Sequence, residues 1–317
     1  MTYSQGGLIQ ASDFNTRVGG NPTTTANTLN AVWATGGGGA GYGQTAVANV
    51  VAGGSVAASN WSSLVNTVSN IGQHQGTGIL SMPAPAVGGS INYLANLDTN
   101  LTSIYSSRLN ANAQGSTSSN AVTYGSTWIN SVTFTHTVTF ANGNAARYFF
   151  NAGGQIKMTV GHSNTTAGIN ALFNTLCTNT GTVAISAPSS GSITIASTSY
   201  NGVTKVGGGG NAPTISTNSG YYGLTTANTT IFTQTATGTP SGYTGSYISY
   251  IAKTNGAQGS NSDNGSVITI YTVWDEVPNG LTMGAVSTTT LTIAPPSTAY
   301  VANTWGAITL AGSATGS

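Results

Sequence analysis

Ser131-Val132-Thr133-Phe134-Thr135-His136-Thr137-Val138-Thr139-Phe140 is the stretch that divides the chain. Val132, Phe134, His136, Val138 and Phe140 alternate with Thr133, Thr135, Thr137 and Thr139. A period of two puts the two sets on opposite faces, which predicts a β-strand with an apolar face and a threonine face. Before it, residues 113–120 (Ala-Gln-Gly-Ser-Thr-Ser-Ser-Asn) have linker composition, and upstream of those the apolar spacing is three and four.

The helical part contains three candidates. Thr24 to Thr35 carries Leu29, Val32 and Trp33 and runs into Gly36-Gly37-Gly38-Gly39. No Gly-Lys-Ser/Thr follows those glycines, so they read as a flexible connector rather than a phosphate loop. Ala58 to Gln75 presents Trp61, Leu64, Val65, Val68 and Ile71 as one stripe, with Ser59 or Asn60 as cap. Ser90 to Asn112 carries Leu94, Leu97, Leu101 and Ile104 at alternating three- and four-residue steps, with Arg108 next in register. This seam has two readings: packing on the Trp61 helix, or association with its own copies about an axis. A further short turn at Phe14 to Val18 is capped by Ser12-Asp13.

Downstream, Asn142-Gly143 is a turn signal, Arg147-Tyr148-Phe149-Phe150 reads as a second strand, and Gln155 to Val160 runs back after Gly153-Gly154. Thr166 to Thr178 is a short helix. From about residue 181 short strands follow, clearest at Ser192–Ser197, Thr230–Ala236, Ser246–Lys253, Val267–Asp275 and Thr288–Ile293. Asp263-Asn264-Gly265 turns between two of them. The expectation is an α+β chain: a small helical N-terminal region followed by antiparallel β-sandwich-like structure. Its divisions are a Gly-rich docking or oligomerisation region over 1–115, a hairpin plus helix over 116–180, and a β domain over 181–317 that is separate from or continuous with 116–180.

Only 3% of the 317 residues are charged and the formal net charge is +1, against about 25% charged in an ordinary domain. Six cations and five anions cannot neutralise a run of phosphates, which excludes electrostatic nucleic-acid binding. A net charge near zero suits a protein held in an assembly more than one that diffuses freely. Cys177 is the only cysteine, so no internal disulfide forms. The N-terminus lacks a secretory pattern and no apolar run reaches membrane-spanning length. Synthesis in a cytoplasm without membrane insertion is therefore expected.

Ala146-Arg147-Tyr148-Phe149-Phe150-Asn151-Ala152-Gly153-Gly154-Gln155-Ile156, following the threonine-rich strand, resembles a box found in virion structural proteins of tailed phages, including those of cyanobacteria. Gly41-Tyr42-Gly43-Gln44, Trp61, His74-Gln75-Gly76, Lys253-Thr254-Asn255-Gly256 and Trp274-Asp275-Glu276-Val277-Pro278 are similar to that group as well. The resemblance implies a non-enzymatic virion component in a tail fibre, neck, baseplate or head decoration. It implies a homo-oligomer, with a trimer as the first expectation, whose partners are other virion proteins. A fibre binding host surface glycan is the alternative. It transfers no catalytic, cofactor or metal residue. Within the box, Arg147 needs a fixed partner: a carbonyl cluster, Asp275 or Glu276, or a neighbouring subunit. Tyr148, Phe149 and Phe150 read as hairpin core.

His74, His136 and His162 lack metal-ligand spacing. His136 on the apolar face reads as a hydrogen-bonded core residue, His74 as a helix-end or interface residue, and His162 as a loop residue. Cys177 reads as a buried small residue. Asp275 and Glu276 are the only adjacent carboxylates, and neighbours on a strand face opposite ways; Asp263 is the one further candidate to pair with either in space, and one such pair is a weak basis for glycan hydrolysis. Ser260 to Gly265 lacks the acids of a calcium loop. Tyr221-Tyr222 and Trp305 are the rings that would stack on sugars.

Overall fold

The computed structural model describes residues 10–19, 28–35, 39–85, 91–163, 168–236, 244–256, 265–277, 280–284 and 286–317. The N-terminal region holds α1 (Ala11–Val18), α2 (Leu29–Val32), α3 (Ala58–Gln75) and α4 (Leu94–Ser106). Then follow β1 (Ser118–Tyr124), β2 (Trp128–Ile129), β3 (Ser131–Thr139), α5 (Gly143–Asn151), β4 (Gln155–His162), α6 (Ile169–Thr180) and β5 (Thr182–Ile185). The rest is β6 (Ile193–Ile195), β7 (Thr198–Tyr200), β8 (Val203–Val206), β9 (Thr214–Ile215), β10 (Thr229–Thr235), β11 (Tyr247–Thr254), β12 (Val267–Asp275), β13 (Thr282–Met283), β14 (Ser287–Ala294) and β15 (Thr309–Gly316).

Two antiparallel sheets form the β part. One has the order β1-β14-β4-β5-β8 and the other β15-β3-β12-β11-β10-β9. They face each other: His136 on β3 reaches Thr289 on β14 at 2.7 Å, and Ile268, Ile270, Ile156, Met158 and Leu291 share one core. Because β3 pairs with β12 and β15, and β4 with β14, residues 116–180 and 181–317 build a single sandwich. The alternation of β3 is as its sequence reads: Val132, Phe134, His136 and Val138 are buried, and the threonines between them are half-buried or exposed. Burial of each such apolar side chain contributes about 1.5–3 kcal/mol.

The helices continue that core rather than forming a separate one. Phe14, Leu29, Val32, Trp61, Leu64, Val68, Ile71, Leu97, Leu101 and Ile104 belong to the same buried cluster as Val138, Phe140 and Ile156. Helix α3 has the bounds its periodicity predicts and stops at Gly76, where φ is +70°. Its N-cap is Ala57 rather than Ser59 or Asn60; Asn60 instead accepts the Ala57 N–H at 2.9 Å. Helix α1 likewise begins before the expected cap, with Gln10 at the N-cap and Asp13 accepting its N–H. Only Leu29–Val32 of the expected Thr24–Thr35 helix is helical among the described residues, and Thr24 to Asn27 lies outside them. The fourth helix is shorter than Ser90 to Asn112, and Ser90 also lies outside the described residues. Of the two readings of its seam, the structure has the intramolecular one. Leu94, Leu97, Leu101 and Ile104 are between 0% and 7% exposed, and α4 packs on α3 and α2. No apolar seam is left there for copies to share. Arg108, next in register, lies over the Tyr105 ring at 4.7 Å.

At the other end of the sandwich, α6 inserts Leu172, Phe173 and Leu176 beside Trp128, Phe134 and Trp274. Phe173 and Trp274 stack with ring centres 5.7 Å apart. The expected strand Ser192–Ser197 shrinks to Ile193–Ile195. Ala196 and Ser197 instead take positive φ and turn the chain into β7. Of the expected Asp263-Asn264-Gly265 turn and the Ser260–Gly265 loop, only Gly265 is described.

With so few charges, side-chain amides do much of the fastening. Asn30 donates to the Val47 carbonyl at 2.9 Å and accepts the Val47 N–H at 3.0 Å. Asn15 grips Val50 in the same two-bond way, Asn100 grips Leu80, and Gln44 grips Ala302. Each amide imitates one rung of a β-ladder: Asn15, Asn30 and Asn100 hold extended segments against α1, α2 and α4, and Gln44 ties two non-helical segments together. One bidentate ion pair, Arg17 with Asp98, links α1 to α4 at the surface, where it contributes little. Asn30→Ala should lower stability by about 1–3 kcal/mol and speed proteolysis between residues 45 and 56. Pulse proteolysis with mapping of the cut site measures both.

Candidate functional site: a buried junction of aromatics and amides

The box that carries the family resemblance is a helix. The strand expected for Arg147-Tyr148-Phe149-Phe150 is corrected to α5, Gly143–Asn151. The apparent turn at Asn142-Gly143 is its start: Asn142 Oδ1 accepts the Ala145 N–H at 2.8 Å. Gly153, with φ +89°, ends it, and the N–H of Gly154 returns to the Phe149 carbonyl at 2.9 Å. On a helix, Ala146, Phe149 and Phe150 fall at i, i+3 and i+4 and share one face. That face is fully buried. Asn142→Ala should cost about 1 kcal/mol, read as a lower denaturant midpoint with unchanged slope.

Phe150 stacks on Tyr221 with centres 4.3 Å apart and planes 12° from parallel. Phe149 meets Phe150 edge-on at 5.1 Å and Phe140 at 5.3 Å. Arg147 is 1% exposed. Its Nη1 donates to the Thr35 carbonyl at 2.8 Å and its Nη2 to Asn144 Oδ1 at 3.0 Å. Its guanidinium also lies over the Tyr148 ring at 4.7 Å. Of the expected partners it therefore has a carbonyl, not Asp275 or Glu276. Tyr148 in turn covers Gly43, where a side chain would overlap the ring.

Three of the similar motifs converge here. Asn151 donates to the carbonyls of Gly39 at 2.7 Å and Gly41 at 3.0 Å, and accepts from the Tyr222 hydroxyl at 2.6 Å. The described end of the glycine run is thus pinned, contrary to a flexible connector; Gly36 to Gly38 lie outside the described residues. Tyr42 donates to the Arg108 carbonyl at 2.7 Å and accepts from Gln75 at 2.8 Å, while Gln75 also reaches the Ile104 carbonyl. His74 bonds the Ala152 carbonyl at 3.0 Å and meets Tyr42 edge-on. Gly41-Tyr42-Gly43-Gln44, His74-Gln75-Gly76 and the box therefore form one knot between α3, α4, α5 and the 302–304 segment. Trp61 lies apart, edge-on to Phe14, and Trp274 belongs to the far core.

Burial sets the titration of this region. Desolvation lowers the His74 pKa to about 4 against an upward pull from the Ala152 carbonyl, and lowers His136 to about 4. It raises the Tyr42 hydroxyl well above its usual range and Tyr222 to about 12. The Cys177 thiol is pushed up by burial, as suits an unreactive core residue. His162 is a correction: it ends β4, buried, bonded to Ser287 and Asn170, instead of sitting in a loop.

The described carboxylates each have a separate task, and Asp263 lies outside the described residues. Asp13 caps α1, Asp98 pairs with Arg17, and Asp275 bonds Tyr247 across β11 and β12. Glu276 is buried and accepts the Leu281 N–H. Among the described residues no group of three or more His, Cys, Asp or Glu side chains lies close enough to hold a metal ion. No helix among them is long and apolar enough to cross a membrane. Of the rings named for sugar stacking, Tyr221 is 0% and Trp305 3% exposed, and Tyr222 is half-buried against Asn151. They serve the core and offer sugars no open face. Nothing in the linear sequence marked the amide grips or the Tyr42–Gln75 knot, since their partners lie 17 to 258 residues away.

No protein-family model matches the chain, no curated protein matches it, and no solved structure matches it.

Proposed function

We propose that the chain is a non-enzymatic structural subunit of a tailed-phage virion, assembling with copies of itself and with other virion proteins in a tail, neck or baseplate appendage. The observation that carries this reading is the fate of the chemistry-bearing residues. The box, the three histidines, Cys177 and the described carboxylates all serve packing, capping or fastening, while the exposed described residues are mostly small and uncharged. A surface with few charges and a net charge near zero favours lasting contact over diffusion. The subunit is made in the host cytoplasm and leaves with the particle.

The test is electron microscopy of purified particles labelled with antibody against this chain. Label at one fixed position on the appendage is expected. Its absence from intact particles, with the protein free in the lysate, would overturn the proposal.

A further inference from the structure

Both layers of the sandwich end open on the same side. One sheet ends at β1 and the other at β15. The two strands lie face to face: a side chain at Gly312 would run into Val122 and Asn120, and one at Gly316 would meet the Tyr124 ring. β1 pairs only with β14, through seven unbroken residue pairs, and β15 only with β3, through eight. Among the described residues, no backbone group of Ser118–Tyr124 or Thr309–Gly316 bonds outside these ladders. Ser118, Ser119, Ala121 and Thr123 are exposed, as are Thr309, Ala311, Gly312, Ser313 and Thr315.

Native sheets protect such edges with short strands, charges, prolines or bulges. The opposite side of this sandwich follows that rule: β8 has four residues, including Lys205, and β9 has two. The β1/β15 side has none of these devices. Neither strand contains a charge or a proline, and neither register is broken.

We infer that this double edge is where a second copy of the chain joins, β15 to β15 and β1 to β1, about a two-fold axis running through both layers. The inference deepens the assembly reading above and rests on it. A two-fold axis sets each strand antiparallel to its own copy and brings like residues together. Charged residues there would repel, and small neutral ones do not. The two edges supply seven and eight residues, fifteen per copy, against about 20–30 on each side of a stable interface. One edge alone would fall well short, and the two with their flanking residues come close.

The experiment is light scattering of the full chain from nanomolar to high micromolar concentration, with Ala121→Lys and Ser313→Lys variants. Circular dichroism melts verify that the variants fold. Ala311→Cys, Ser313→Cys and Thr315→Cys are oxidised gently in parallel; the native Cys177 is buried and stays silent. The expected mass is twice the 31.7 kDa of the chain, returning to the single mass in the lysine variants, with cross-linking strongest at one cysteine position. A single mass at every concentration, or a larger mass that survives both lysines and yields no cross-link, overturns the inference. Antibody label on particles in either of those cases removes the edge and keeps the virion reading. An edge dimer without label does the reverse.

Discussion

Phe150→Ala is expected to lower the unfolding free energy by about 3–5 kcal/mol, the range for emptying a large aromatic site in a core. Phe150 is fully buried and stacked on Tyr221, and it joins α5 to the Tyr221–Gly223 turn and to Phe140. The surroundings cannot collapse into the space easily. The backbone beside Tyr221 is locked, because a side chain at Gly220 would overlap the Pro188 carbonyl. Tyr221 donates its N–H to the Ser186 carbonyl at 2.9 Å. Chemical denaturation should show a lower midpoint, and Trp61 and Trp274 fluorescence should report the same transition, since helices and sandwich share one core. Pairing the substitution with Tyr221→Ala in a double-mutant cycle should return a coupling of about 0.5–1.5 kcal/mol for the stack.

The second large effect is of acid. His74 and His136 are buried and take up a proton only near pH 4 in the folded chain, whereas an unfolded chain protonates them near pH 6.5. Between those values the unfolded state binds more protons than the native state. Stability therefore rises with pH across the interval and is lost as the pH falls from about 6.5 towards 4. Each imidazole accounts for up to about 3 kcal/mol by pH 4. His162, also lowered by desolvation, adds in the same direction. Asp275, raised by desolvation, acts in the opposite direction, but it is half-exposed and its effect is small. Melting temperatures from pH 7 to 4 should fall steadily, and a His74→Gln/His136→Gln variant should flatten that slope whatever its stability at neutral pH. An unchanged slope in the variant would contradict this account of both sites.

How much of this was legible in the sequence depends on whether a residue's partner is local. Helix α3 could be read to the residue because its stripe is long and Gly76 stops it. The strand β3 announces itself through strict alternation. The box misled because aromatic runs favour strands when judged alone, and Asn-Gly serves hairpins and helix caps equally. What selects the helix is tertiary: Phe149 and Phe150 can both enter the core only if consecutive residues fall on one side, which a helix permits and a strand does not. The a/d seam of α4 was visible, but the sequence left open whether its partner was α3 or a second copy. Asn15, Asn30, Gln44 and Asn100 looked like ordinary polar residues, because the backbone each one grips is set by the whole fold.

On this account the family-like box builds the fold, and contact between copies lies elsewhere, on β1 and β15. Hydrogen exchange on the full chain across a dilution series tests that separation most directly. Amides of Ala146 to Gly154 should exchange slowest and equally at all concentrations, while outward amides of β1 and β15 should exchange fast in dilute solution and slow down when concentrated. Fast exchange in the box, or concentration dependence there and not at the two edges, would contradict that separation.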